Sequence, residues 1–423
     1  LPELFILLLL TSLYTVQPGA ASPRFIADSR PVRTAENLDL LPESPVKAVL
    51  TEGKSAAATL QQLLPSARAM AVAGGVVADL SDTQVEQLLA ASPDLIVEEL
   101  SAEMQPVKTL EVFRKVASPS VTLSWNYDQC GLAWFKEMGI TGQGMRLGVI
   151  AQNHAYAHVA LKGRVKTVQE FGLKPPPTSQ PAPQRAVNDL HLLHPLGIFG
   201  GFDEGRFYGL APEAEISLAV LSAKPTKVDT FLDALEWLMQ LPEPPHAILI
   251  CTDFSGTAPV AVARALFACR NAGIVPIIAA GNNPNSITGL AALPCCITVA
   301  ATDRWKQRAL FSGQGPVTFE GQKIVKPDFC EPGSAVMGPT DAKDYRLGSG
   351  TLQAAAHFAG IYLLTRQVLP DSDPEIILNA MRLTAQDIAD QGIDDMVGYG
   401  LPVPAAAVNY IMNPPSTGNG SAY

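Results

Sequence analysis

The chain has no C-x-x-C pair, no cluster of Lys and Arg, and few charges of either sign: 17% of its 423 residues are charged. The missing Cys pairs argue against a zinc ribbon or finger. A net charge of −10 without a basic patch argues against a nucleic-acid binder. No low-complexity block exceeds the length of a linker. The most apolar stretch, Leu4 to Leu13, is too short to span a bilayer. The six cysteines (130, 251, 269, 295, 296 and 330) sit mostly in or beside apolar runs, where a thiol behaves as a small hydrophobe. An exported chain would have the chance to oxidise one or two pairs, and spacing does not reveal which.

What the chain does have is apolar residue, 47% of the total, enough for a large core in two or three domains. Small residues Gly19-Ala20-Ala21 follow the apolar stretch, so residues 1–21 read as a secretory signal, although a Met and a basic start are missing. A docked apolar segment and a retained membrane anchor are the alternatives, and membrane association is expected only if the segment is kept. The expected location is outside the cytoplasm: secreted, periplasmic or at the cell surface.

Residues 46–100 alternate between strand and helix patterns. VKAVLTE (46–52), the two halves of ARAMAVAGGVVADL (67–80) and DLIVEEL (94–100) read as strands. SAAATLQQLL (55–64) and SDTQVEQLLAAS (81–92) read as helices, the second opened by a Ser81/Gln84 capping box. That order is a ferredoxin-like split α+β unit, assigned to 46–104. Residues 101–124 read as a linker.

From Trp125 to about residue 410 the pattern is that of a parallel sheet with helices on both faces, an α/β fold. Its buried strands are expected at 145–151, 215–222, 246–253, 274–280 and 295–302, with helices at 228–241 and 259–273. KPPPTSQPAPQ (174–184) is an expected surface loop, and 411–423 a disordered tail.

Motifs then carry a resemblance. HLLHPLG (191–197), LAPEAEISLAVLS, GIVPIIAAGNN (273–283), LPCCITVAATDRWKQRALFSGQG (293–315), KPDFCEPGSAV, SGTLQAAAHFAG (349–360) and GYGLPVPAAAV (398–408) fall in the order seen in subtilisin-like serine peptidases. The 46–104 unit resembles the inhibitor-I9-like pro-domain of that family, above all in GGVVADLSDTQVEQLLAASPDLIVEE.

The resemblance implies a Ser/His/Asp triad and an oxyanion-binding Asn. It places His191 at the triad His and Asn282 at the oxyanion Asn. At the Asp position it places Ala151, followed by Gln152-Asn153, and at the nucleophile Leu352, followed by Gln353 instead of Met. Two triad members are thus replaced. The substrate-pairing strand, S-L-G-G in the family, here reads Asp253-Phe254-Ser255-Gly256, and Leu192-Leu193 replace Gly-Thr of H-G-T-H. Together these changes imply a filled cleft.

The reading this favours is a non-catalytic pseudopeptidase with no cofactor or metal, a protein partner not identified by the sequence, and its own pro-domain packed on the large domain. One alternative is a serine endopeptidase with a relocated hydroxyl, Ser349 or Thr351, or with Asp189 serving His191. The other is a metal site from His154, His158, His191 and His194. Both are weakened because these residues, His154, Asp189 and the triad-position His191 apart, match ordinary scaffold positions of the family, as does His357.

Overall fold

In the computed structural model the described residues are 46–50, 64, 67–91, 95–100, 102–106, 110–115, 125–152, 158–172, 190–204, 206–222, 226–254, 256–340 and 344–414. The signal-like segment, the helix expected at 55–64 (Leu64 apart), the Pro-rich loop and all but the start of the tail lie outside them.

The N-terminal module comprises β1 (Val46–Leu50), β2 (Arg68–Met70), β3 (Gly75–Asp79), α1 (Asp82–Ala91) and β4 (Ile96–Glu99). Its antiparallel sheet runs β2-β3-β1-β4, the strand order of a ferredoxin-like unit. Gly74 turns the chain between β2 and β3 with φ +68°, where a side chain is costly. The capping box forms as the sequence expects. Ser81 N donates to Gln84 Oε1 at 2.9 Å, and Gln84 N reaches back to Ser81 Oγ at 3.4 Å.

Residues 101–124 are not simply a linker, and this corrects the expectation. They hold β5 (Glu103–Pro106) and β6 (Leu110–Lys115). Neither alternates cleanly, because each finds its partners on distant strands of the large domain.

The large domain begins with α2 (Trp125–Gln129) and α3 (Leu132–Glu137). There follow β7 (Arg146–Ala151), β8 (Val165–Phe171), α4 (Leu190–Gly200), β9 (Glu215–Leu221), β10 (Thr226–Lys227) and α5 (Val228–Met239). Next come β11 (Ala247–Ile250), β12 (Thr252–Phe254), α6 (Val260–Asn271), β13 (Val275–Ala279) and β14 (Ile297–Thr302). The chain closes with β15 (Phe329–Pro332), β16 (Val336–Pro339), β17 (Tyr345–Ser349), α7 (Thr351–Val368), α8 (Pro374–Leu383) and α9 (Pro404–Met412).

Seven parallel strands form the central sheet in the order β15-β14-β13-β11-β7-β9-β8. Its central strands are buried on both faces. Leu147, Val149 and Ala151 join one core with Leu352, Phe358 and Tyr362 of α7. On the other face a Cβ at Gly148 would meet Leu238 of α5 at 3.2 Å, so the helix lies directly on that strand. Helix α7 is buried from Thr351 to Thr365, which explains why it reads as almost continuously apolar. The expected strand at 246–253 splits: β11 stays in the sheet, and β12 leaves it to pair elsewhere.

Candidate functional site

The residues singled out by sequence gather where the strands of the parallel sheet end. Ala151 is the last residue of β7 and is buried. Asn282 lies just beyond β13, after a left-handed Gly281 (φ +84°). Leu352 is the second residue of α7 and only 1% exposed. His191 sits half-buried in the first turn of α4.

Asn282 is joined to the start of α7. Its Oδ1 accepts from Thr351 N and from Thr351 Oγ1, both at 3.0 Å, and so satisfies one of the orphan donors of the helix start. Ser349 Oγ accepts from Ala335 N at 2.9 Å. The two hydroxyls flanking Leu352 therefore have scaffold partners. Leu352 brings an aliphatic side chain to the position the resemblance assigns to the nucleophile. It belongs to the same hydrophobic core as Ala151, Leu192 and Leu193.

The strand that the resemblance assigns to substrate pairing is occupied. β12 pairs antiparallel with β5, Thr252 opposite Pro106, Asp253 opposite Gln105 and Phe254 opposite Met104. β10 pairs with the other edge of β5, Thr226 opposite Met104. The chain's own residues 103–106 thus form the middle strand of a three-stranded sheet. Side chains hold it as well. Gln152 Nε2 donates to Met104 O at 2.9 Å, and Thr252 Oγ1 donates to Gln105 O at 2.9 Å. Met104 itself is buried. Further on, β6 pairs antiparallel with β17, the strand that leads through Ser349 into α7. The segment therefore pairs with β10, β12 and β17 of the large domain.

Asp253 adds a latch. Its Oδ1 accepts from Phe254 N at 2.7 Å and from Leu290 N at 2.6 Å. Burial pushes its carboxyl up to about 7, against the pull of the backbone N–H groups of Leu290, Phe254 and Ala291. Gly289 is required beside it, since a Cβ there would lie 2.2 Å from Asp253 Oδ1. Phe254 is buried, and Gly256 (φ +109°) accepts from Gly289 N at 2.7 Å. Ser255 lies outside the described residues.

The module is tied to the large domain at two more points. Glu98, near the end of β4, caps α6 with both carboxylate oxygens, taking Val260 N at 2.8 Å and Ala261 N at 2.9 Å. The preceding residue, Pro259, offers no side-chain cap. Arg68 forms an ion pair with Asp233 of α5.

The histidines of the metal alternative do not gather as ligands. His158 Nδ1 accepts from Ala160 N at 3.0 Å, so Nε2 carries the proton and donates to Asp344 O at 3.2 Å. His194 Nε2 donates to Arg346 O at 3.2 Å, and burial holds its pKa down at about 4. His357 Nδ1 donates to Gln353 O and its Nε2 accepts from Asn126 Nδ2, each at 2.8 Å; burial lowers it to about 3. His154 and Asp189 lie outside the described residues. Among the described residues no group of three or more His, Cys, Asp or Glu is placed to hold a metal ion.

Sequence reasoning passed over several residues of this region. Gln152 was noted only as a departure, and Thr252, Glu98 and the 103–106 strand were not singled out. Glu331, in the family's A-P-G segment, is fully buried and accepts from the Cys130 thiol at 3.4 Å; burial raises its pKa well above the usual carboxylate range. All six cysteines are buried free thiols.

A parallel sheet with this cleft at its strand ends defines the class of protein, and comparison with known families agrees. The model of the subtilase family, peptidase S8, matches residues 142–400. The chain belongs to the subtilase family. It is 28% identical over 273 residues to the subtilisin-like protease PopC of Myxococcus xanthus, covering 58% of this chain and 56% of that protein. It is 25% identical over 339 residues to the minor extracellular protease Epr of Bacillus subtilis, covering 77% and 48%. The chain thus spans about half the length of these curated relatives. Among solved structures, fervidolysin of Fervidobacterium pennivorans, a keratinolytic enzyme, superposes with a TM-score of 0.62 at 18% identity, over 86% of this chain and 61% of that one. That likeness establishes the subtilisin-like fold.

Proposed function

We propose that this subtilase-family chain is a non-catalytic member, an exported binding or structural subunit whose cleft is occupied by its own residues 103–106. The observation that carries the reading is Leu352, a buried aliphatic side chain at the first turn of α7, where the family places its nucleophile. Without that oxygen no acyl-enzyme forms, and an oxyanion site with substrate binding leaves roughly 10³–10⁴-fold over water. Ala151 removes the carboxylate that would orient His191. Strand β5 is consistent with the reading, because a substrate pairing with β12 would have to displace it. Export rests on the apolar segment 4–13 and the small residues after it. No helix among the described residues is long and apolar enough to cross a membrane.

The test is fluorophosphonate labelling and casein hydrolysis by the purified chain. Neither is expected, and a labelled, casein-degrading preparation overturns the proposal. A chain unable to cut itself also keeps its N-terminal module covalently attached. Recovery, from a protease-free host, of only a species starting near Ser120 refutes that part. A pull-down from the membrane or periplasmic fraction addresses the partner.

The second reading is a working serine endopeptidase, favoured by the relatives, which are named as proteases, and by the hydroxyls of Ser349 and Thr351 beside Leu352. Both hydroxyls have scaffold partners, which weighs against it.

A further inference from the structure

At the end of the parallel sheet opposite Ala151 there is a cavity of about 300 Å³. It forms where the chain enters three neighbouring strands. Arg146 is the first residue of β7, His246 directly precedes β11, and Ile274 directly precedes β13. Arg366 reaches it from the last turns of α7, and Met239 from the end of α5. No carboxylate lines it. The exposed Glu243 lies outside that lining, its Oε2 4.0 Å from Arg146 Nη1.

Hydrogen bonding inside the cavity is lopsided. His246 Nδ1 accepts from Arg146 N at 3.1 Å, so the neutral ring carries its proton on Nε2. That Nε2 lies 3.5 Å from Arg146 Nη2, another donor. Two N–H groups thus face each other with no acceptor between them. Burial, and then the charges of Arg146 and Arg366, which line the same cavity, hold the imidazole down at about 4. Arg366 donates Nη1 to Tyr362 OH at 3.3 Å and makes no ion pair with a carboxylate among the described residues.

The ordinary reason for arginines here would be to cap helix ends, and the backbone already does that. α6 closes through Gly273 (φ +78°), with Gly273 N on Arg270 O at 3.0 Å and Ile274 N on Cys269 O at 3.2 Å. α7 closes with Leu369 N on Thr365 O and Arg366 O, both at 3.1 Å. Arg146 does give Nε to Pro244 O at 3.0 Å, which fixes its fork in place and leaves Nη2 directed at His246.

We propose that this cavity binds a small organic anion, with a phosphate or carboxylate head on Arg146, His246 and Arg366 and an apolar body against Met239 and Ile274. An oxyanion supplies the acceptor missing between Arg146 Nη2 and His246 Nε2 and makes charge-assisted bonds with the guanidiniums. The site is separate from the peptide cleft, so it stands whether or not the chain hydrolyses peptides.

The experiment is thermal unfolding and calorimetric titration of the full chain with inorganic phosphate, phenyl phosphate and benzoate, at constant ionic strength set with sodium chloride. Phenyl phosphate or benzoate is expected to raise the Tm saturably above the chloride reference and to bind more tightly than inorganic phosphate. Which of the two organic probes binds better identifies the head group. Arg366→Gln is expected to weaken binding about tenfold, and Arg366→Lys, which keeps charge but loses the fork, by an intermediate factor. No rise beyond chloride overturns the proposal, as does Arg366→Gln binding like wild type. If Arg366→Gln does not fold, Arg366→Lys decides, and unchanged affinity there overturns it.

Discussion

The side-chain amide of Gln152 donates to the Met104 carbonyl at 2.9 Å, tying the residue that follows β7 to the middle of β5. The Thr252 hydroxyl does the same for Gln105, at 2.9 Å. Each such bond contributes ~1 kcal/mol. The double variant Gln152→Ala/Thr252→Val should therefore raise hydrogen exchange at the amides of 103–105 by about thirtyfold, at ~1 kcal/mol per bond lost. Amides of β7 and β11 should exchange as before. Unchanged exchange in β5 would show that the main-chain ladder alone holds it.

Glu98→Ala leaves two amides at the start of α6 without a cap, because Pro259 cannot replace it. The expected cost is about 1–2 kcal/mol, read from the urea midpoint of the whole chain. Glu98→Gln keeps an acceptor and should lose less.

Asp253 gives stability a pH dependence of known sign. Its carboxyl titrates at about 7 in the fold against 3.8 as the reference value, so between these values the folded chain holds a proton that the unfolded chain has released. Its contribution to stability is full below about 4, falls as pH rises towards 7, and is level above that. At ~1.4 kcal/mol per pKa unit the fall is at most roughly 4 kcal/mol. Asp253→Asn keeps Oδ1 as an acceptor for Phe254 N and Leu290 N and removes the titration. The difference in unfolding free energy between variant and wild type should grow in favour of Asn from pH 4 to 7. A flat difference would place the carboxyl in water.

Leu352→Ser restores the family's residue without restoring its surroundings. Loss of most of a buried leucine side chain should cost about 2–4 kcal/mol. Ala151 still offers no carboxylate to hold His191 in the right tautomer, a defect that costs roughly 10⁴ in turnover in a complete triad. The variant is expected to unfold earlier in urea and to remain unlabelled by fluorophosphonate over hours. Rapid labelling would mean that another group orients His191.

The parallel sheet was legible because its central strands are buried on both faces and read as plain apolar runs, as at 145–151 and 274–280. Its two edges were not. β8 is mostly exposed and polar, and β15 is four residues long within a segment read only as a motif. The positions of Ala151, Asn282 and Leu352 followed from motif order and fall together at the strand ends. The occupation of the cleft was hidden for a different reason. Residues 103–106 and 110–115 carry no periodic signal, since their structure comes from edges supplied more than a hundred residues away. Gln152 and Glu98 were invisible likewise: a polar side chain reveals its role only when the carbonyl or amide it meets is known.

Because β5 lies between β10 and β12, its withdrawal would uncover two rows of main-chain donors and acceptors at once. Bare strand edges recruit strands from other molecules. A chain trimmed of residues before 107 should therefore be stickier as well as more open. Retaining the segment is then a matter of solubility.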